Sequence, residues 1–358
     1  MSDSFQDLGT LGVEEEFYIV DPGTLMPVEA SEELLENPPS KLEPWISGEL
    51  FSFMMETKTD KAYSLDEIYD EIAEKRRLLK DHAEEHGYEL LATGMHPTVE
   101  WSEYEPKSKP RYLDQIDRLQ YAERRNIVTG LHVHVGMDDP DKAVWVCNEM
   151  RRYIPLIRAL GANSPFWKGS ETGLASARTV IYENQPNTGT PTDFGSFEEF
   201  EEFKRRIVDE GVAGDEGELW WDVRPNSRCG TVEVRAPDPQ ASLERTFDLT
   251  ALIYHLSMML GEKYESGSGF PEIRKEYLDN NNWAAIRYGM DAEFLRLDAD
   301  EGTVSVEKML KETLSEADME EDEREALIER LLDGTGAMSQ IELHEEEGFE
   351  SVLEGLKL

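Results

Sequence analysis

Gly12-Val13-Glu14-Glu15-Glu16-Phe17-Tyr18-Ile19-Val20 is an apolar, strand-forming run interrupted by three consecutive acids. In a β-strand successive side chains alternate faces, so Glu14 and Glu16 project together while Val13, Phe17 and Ile19 face a core. Two carboxylates that close repel unless a cation lies between them, which makes the pair a candidate site for a hard divalent ion, Mg²⁺ or Mn²⁺. An edge strand with a solvated acidic face would show the same alternation, and the segment alone does not separate the two. Glu15 falls on the apolar face, where it needs a buried cation or a place at the strand's edge.

Two further segments place polar groups at every second position, and a third holds two acids further apart. His132 and His134 alternate with Leu131, Val133 and Val135; Glu233 and Arg235 alternate with Val232 and Val234; Glu49 and Glu56 bracket an extended stretch. Taken singly each has a plainer reading. A His-x-His strand is more often a structural pair than a ligand pair, and Glu233 with Arg235 fits an exposed ion pair. Glu49 and Glu56 are seven apart, so a straight strand would put them on opposite faces, and a bulge or bend must intervene if both serve one site. Gly130 and Gly136 flank the histidine strand and suggest close approach by a ligand. Taken together, charged groups lining one sheet face point to a water-filled site holding metal and anion. No Walker-type loop or dinucleotide fingerprint occurs, so a nucleotide would be held through metals and arginines.

The 358 residues carry 77 acids against 36 lysines and arginines, a net charge of −41. The acids are spread through the helices, and concentrated salt screens such self-repulsion over a few ångströms. A salt-rich cytoplasm accounts for this composition. Nucleic acid and anionic membranes are poor partners for it, no stretch is long and apolar enough to span a bilayer, and the N-terminus has no basic region followed by an apolar one. The expected location is cytoplasmic. Cys147 and Cys229 are the only cysteines, too few for a disulfide framework, and both are expected to be reduced packing residues.

Along the chain, Ser64 and Glu67 form a capping box for a helix ending at Gly87, and residues 111 to 126 have a helical pattern. Residues 127 to 135 form a strand. Pro140 opens a long helix through Ala159 bent at Pro155, Ser196 caps an acidic helix, and 240 to 262 is a long apolar helix. The expected organisation is an α+β domain over 1–270, with an acidic helical extension over 271–358 packed on it.

The ordered set Gly12-Val13-Glu14-x-Glu16, Glu49 with Glu56, Gly130-Leu131-His132-Val133-His134-Val135-Gly136, Ala162-Asn163-Ser164-Pro165-Phe166-Trp167, Ser176-x-Arg178, Trp221-Asp222-Val223-Arg224-Pro225 and Glu233-Val234-Arg235 closely resembles the carboxylate-amine ligase family, the second glutamate–cysteine ligase family. The match covers roughly residues 8 to 262, and the acidity resembles that of haloarchaeal members. The resemblance implies a glutamine-synthetase-like fold, a curved antiparallel sheet flanked by helices around metal ions and ATP. It implies Glu14, Glu16, Glu49, Glu56, His132 and Glu233 as metal ligands, His134 and Arg235 as phosphate contacts, and Arg178, Arg224 and Arg235 as catalytic arginines on carboxylate or phosphoryl groups. Asn163, Trp101 and Trp167 would shape the amino-acid pocket or pack ordinarily. The implied reaction joins glutamate to cysteine at the expense of ATP through an acyl phosphate. Glutamate joined to another amine, or a non-catalytic acidic binding protein, are the rivals. Partners are then small molecules, with a homodimer left open. His82, His86, His255 and His344 are expected to be structural or exposed, and His96 is a weaker candidate for the pocket wall.

Overall fold

The computed structural model describes residues 4–298 and 301–358. Its centre is a seven-stranded sheet built on β1 (Leu11–Val20), with β2 (Ile46–Gly48), β3 (Met54–Lys58), β4 (Glu89–Leu91), β5 (Leu131–Gly136), β6 (Val223–Asn226) and β7 (Thr231–Val234). The order is β6-β7-β5-β1-β3-β2, every pair is antiparallel, and β4 pairs with the far end of β1 on the edge shared with β5. The α+β class and the antiparallel sheet flanked by helices are as expected.

β1 forms a strand because its apolar residues repeat every second position, and it stops where Asp21 caps its own turn. The Asp21 carboxylate accepts from the Gly23 and Thr24 amides at 3.0 and 2.8 Å, a turn that competes with further ladder pairing. Leu11, Val13, Phe17 and Ile19 lie on one face with Val133, Val135, Val232 and Val234 of the neighbouring strands, all almost fully buried. The helices α1 (Leu65–Glu85), α2 (Pro140–Met150) and α4 (Leu243–Glu265) cover that face, with α3 (Ile154–Leu160) beside them. Ala285, Phe294, Val306, Leu310 and Leu327 from beyond residue 271 join the same cluster. That part of the chain also contains a short hairpin, Glu293–Leu295 with Thr303–Ser305, and it returns to the sheet, where the Leu358 amide bonds Leu90.

Glu15 meets a buried cation on the apolar face. Arg76 of α1 donates through Nε and Nη2 to its two oxygens at 2.9 and 2.5 Å, and further to Gln240 O, Ala241 O and the Thr246 hydroxyl. All the ends of the guanidinium are used, so the pair ties β1, α1 and the start of α4 together without an orphaned donor.

Several local expectations change. The predicted long helix from Pro140 is two helices, because Pro155 has no N–H to give Arg151 and sits in the first turn of a new helix, where that N–H is dispensable. The helical stretch over 111 to 126 breaks at Gln120, whose φ is +50°. Of residues 127 to 135, the ladder begins only at Leu131. Glu49 and Glu56 stand on either side of a tight turn between β2 and β3, and this reversal is the bend their spacing required. Gly136 makes room for Asp7 O and the Thr10 hydroxyl, and Gly130 for Arg178 and His132, so both glycines accommodate protein atoms. Cys147 is buried as expected, but Cys229 is exposed on the β6–β7 turn.

Arg76→Ala should cost about 3–5 kcal/mol, since it leaves a buried carboxylate unpaired, whereas Glu15→Leu with Arg76→Met should regain most of that loss. Urea unfolding at constant high KCl measures both. An R76A protein within about 1 kcal/mol of the parent would refute the role given to the pair.

Candidate active site

The sheet face opposite the core carries the polar side chains, and strand register decides their neighbours. Glu14 stands opposite His132 on β5 and Lys58 on β3; Glu16 stands opposite Glu56; Glu233 stands opposite His134 on one side and Arg224 on the other. His132 Nδ1 lies 3.2 Å from Glu14, and His134 Nε2 lies 3.6 Å from the other oxygen of the same carboxylate. The Gly130 amide donates to Glu16 at 2.6 Å, and the Ser47 hydroxyl donates to Glu56 at 2.8 Å. Glu233 is gripped by Arg224 through Nε and Nη2, both at 2.9 Å, by Arg235 at 2.7 Å and by the Asn226 amide.

Three overlapping sets of donors result: Glu14 with His134 and Glu233, Glu14 with Glu56 and His132, and Glu16 with Glu49 and Glu56. Within each set the ligand atoms lie within 4.8 Å of one another. All six expected metal ligands are thus brought together. His134, expected on phosphates, joins them as a seventh donor, and its Nε2 is buried without a hydrogen-bond partner.

The two ends of this array differ in charge balance. Burial disfavours the charged form of Glu14, but the adjacent His132 and His134 imidazoles prevail and hold its carboxyl well below the usual range; Arg224, His134 and Arg235 do the same for Glu233. Burial and the nearby Arg235 push His132 down to about 3, so the imidazole is neutral and keeps a lone pair. At the other end burial and mutual repulsion prevail. Burial, then Glu56, raises Glu16 to about 7; burial, then Glu16, raises Glu49 to about 7; burial, then Glu14 and Glu49, raises Glu56 to about 8, although Lys58 lies 2.9 Å from it. One ammonium does not balance these carboxylates. The donor chemistry fits hard divalent cations, an all-oxygen set suiting Mg²⁺ and the mixed imidazole–carboxylate sets tolerating Mn²⁺.

The three expected arginines differ. Arg178 and Arg235 each keep a buried Nε without a partner. Arg224 has none to spare: two nitrogens hold Glu233 and the third bonds the Gly217 and Leu219 carbonyls. Arg178 is positioned by a hub that the sequence did not mark. Asp238 accepts from the Asn163 amide and the Ser164 and Ser176 hydroxyls at 2.8, 2.7 and 3.1 Å, with Arg178 Nη1 at 3.7 Å. Asn163 spends its side-chain amide on Ala92 O and Pro239 O, so it belongs to that scaffold. Trp101 and Trp167 pack against an apolar cluster. His96 is fully buried against Tyr18 and bonded to Leu25 O, and burial lowers it to about 4; it is structural.

A family model described as Glutamate-cysteine ligase family 2 (GCS2) matches residues 10–352. The chain belongs to this family. As a family 2 member it is similar to the glutamate–cysteine ligase of Haloferax volcanii, 45% identical over 100% of this chain and 98% of the relative. It is also similar to that of Natronomonas pharaonis, 47% identical over 82% of this chain and 81% of the relative. Among solved structures it resembles the glutamate–cysteine ligase of Francisella tularensis in complex with AMP, with TM-score 0.72 and 15% identity over 98% of this chain and 88% of that one. At that identity the likeness establishes a shared fold.

The raised carboxyls give a stability test with a definite sign. Glu16, Glu49 and Glu56 in the folded, metal-free state hold protons that an unfolded chain releases above the usual value of 4.5. Their stabilising contribution is therefore complete below about pH 4.5 and lost as the pH rises through about 7 to 8. With chelator at fixed high KCl, the melting temperature should fall between pH 5 and 8.5. Added Mg²⁺ should restore it at the upper end and change little at pH 5. A Mg²⁺ effect equal at both ends would contradict this reading of the cluster.

Proposed function

We propose that this chain is an ATP-dependent glutamate–cysteine ligase, forming γ-glutamylcysteine through γ-glutamyl phosphate. The observation that carries the reading is the row of under-neutralised carboxylates, with the neutral His132 imidazole among them, on one face of β1, β3 and β5, in a chain of this family. Such a face needs divalent cations and, through them, phosphates.

Glu14, Glu16, Glu49, Glu56, His132 and Glu233 would hold the metal ions, Mg²⁺ or Mn²⁺, with His134 against Glu14 and Glu233. Metal there supplies charge neutralisation on the triphosphate. Arg224 orients Glu233. Arg178 and Arg235, whose Nε groups are free, face the anionic groups: the carboxylates of glutamate or the oxygens of the transferred phosphoryl. The γ-carboxylate oxygen attacks the terminal phosphorus of ATP and ADP departs. The amino nitrogen of cysteine then attacks the acyl carbon, and inorganic phosphate leaves with the former carboxylate oxygen. Burial of the arginines and carboxylates limits water at the acyl phosphate. No protein nucleophile is needed, which agrees with Cys147 sitting deep in the apolar core. The acidic composition supports work in a salt-rich cytoplasm.

ADP release in molar KCl with Mg²⁺, glutamate and a panel of amines tests the assignment. Release with cysteine alone is expected; equal release with other amines would move the enzyme to a different carboxylate-amine ligase activity, and absence of nucleotide binding would favour an acidic binding protein. Glu16→Ala and His132→Ala should each lower turnover about a thousandfold or more, roughly 4 kcal/mol of transition-state stabilisation. Their melting temperatures should stay close to the parent's, because in the metal-free state these ligands repel or stand neutral. Unfolding of either variant in high salt would count against a catalytic role.

A further inference from the structure

Lys58 closes β3, directly opposite Glu14 on β1. Its ammonium lies 3.1 Å from a Glu14 oxygen and 2.9 Å from a Glu56 oxygen. Glu14 and Glu56 are two of the three donors in the set completed by His132. Among the described residues Lys58 is the lysine that ion-pairs with the site's carboxylates; the neighbouring Lys107 turns its ammonium to Glu32 at 3.4 Å. An ion chelated by Glu14 and Glu56 would occupy the space between the same two carboxylates and would meet a like charge at contact distance, so the two cations exclude each other.

The surroundings allow the ammonium to leave. The Lys58 side chain is 42% exposed, against 19% and 9% for the two carboxylates, so its head lies at the mouth of the cleft and its flexible stem can turn outward. The backbone need not follow: β3 stays paired to β1, and the Thr59 amide bonds Val13 O just beyond.

We propose that Lys58 is a tethered counter-cation: it holds the Glu14–Glu56 position in the metal-free enzyme and must vacate it for a divalent ion to bind there, and so sets the affinity of that position. This rests on the reading of the cluster as a metal site. Lys58 is a positioning residue by this account. It keeps the carboxylate pair from springing apart without metal, and it weakens metal binding by competing for the same carboxylates.

Mg²⁺ titrations followed by melting temperature, at pH 8 and constant KCl without substrates, compare the parent with Lys58→Met and Lys58→Arg. K58M keeps the apolar stem and removes the charge; it should melt lower than the parent in chelator yet reach half-saturation at about tenfold less Mg²⁺, an effect of the size expected when a group beside metal ligands is changed. K58R should stay close to the parent in both respects. A K58M protein that folds only with Mg²⁺ is the same result in stronger form. K58M needing as much Mg²⁺ as the parent, or more, overturns the proposal while leaving the metal site standing, and so does K58M that stays unfolded at every Mg²⁺ concentration. A parent showing no Mg²⁺-dependent shift removes the metal site and the proposal together.

Discussion

The constraint on which the rest depends is the register of β1 between β3 and β5. A slip of one residue would turn Glu14 and Glu16 into the core and carry Val13 and Phe17 into the cleft. Apolar pairing with Val133 and Met55 opposes that slip, but the stronger device is Glu15. Its carboxylate accepts from Arg76 and the Thr246 hydroxyl, and Arg76 is itself fixed in place by donating to the carbonyls of Gln240 and Ala241. A buried charge with one acceptable location acts as a pin. The acid on the core side therefore secures the geometry of the two acids on the cleft side, and three glutamates in a row have two opposite uses.

Given that register, the electrostatics follow from which neighbours each carboxylate has. Glu233 lies between two arginines, and Glu14 between two imidazoles, so both remain ionised despite burial. For Glu16, Glu49 and Glu56, burial and repulsion from one another outweigh Lys58 and the more distant Arg178, Arg235 and Lys107. Protein groups thus compensate one end of the site permanently, while the other end is left for something that arrives from solution. That asymmetry suits a site that must hold a triphosphate: the arginine end needs no cation to attract anions, and the carboxylate end would attract them only with the metal proposed there.

Period-two alternation made the strands and the polar row legible, since Glu14 and Glu16, His132 and His134, and Glu233 and Arg235 each share a face by geometry alone. The same period reaches Lys58 from Glu56, a signal present in the sequence and overlooked because lysine is an unremarkable strand-end residue. Glu49 was legible only as a puzzle, because tight turns leave weaker marks than ladders, and Leu50-Phe51-Ser52-Phe53 has no glycine or proline to announce one. Pro155 carried the right information with the wrong consequence: proline ends one helix and starts another more readily than it bends a single one. Asp238 could not be found at all. Its importance comes from Ser164, Ser176 and Arg178 meeting it across long stretches of chain, and no local pattern encodes such a meeting.

The large negative charge has to be divided between two environments that salt treats differently. On the helices, exposed acids are spaced through solvent, and at about 1 M ionic strength screening acts within roughly 3 Å, so their repulsion fades. In the cleft, Glu16 and Glu56 are shielded from bulk ions by the sheet beneath and the chain around them, and screening reaches them poorly. Concentrated monovalent salt therefore relieves the surface while leaving the cleft in deficit. The cleft's demand is met at the carboxylates themselves, by protons held up to about pH 7 to 8, by the Lys58 ammonium or by the divalent ion proposed there, so the same acidic composition is answered by salt outside and by local groups within.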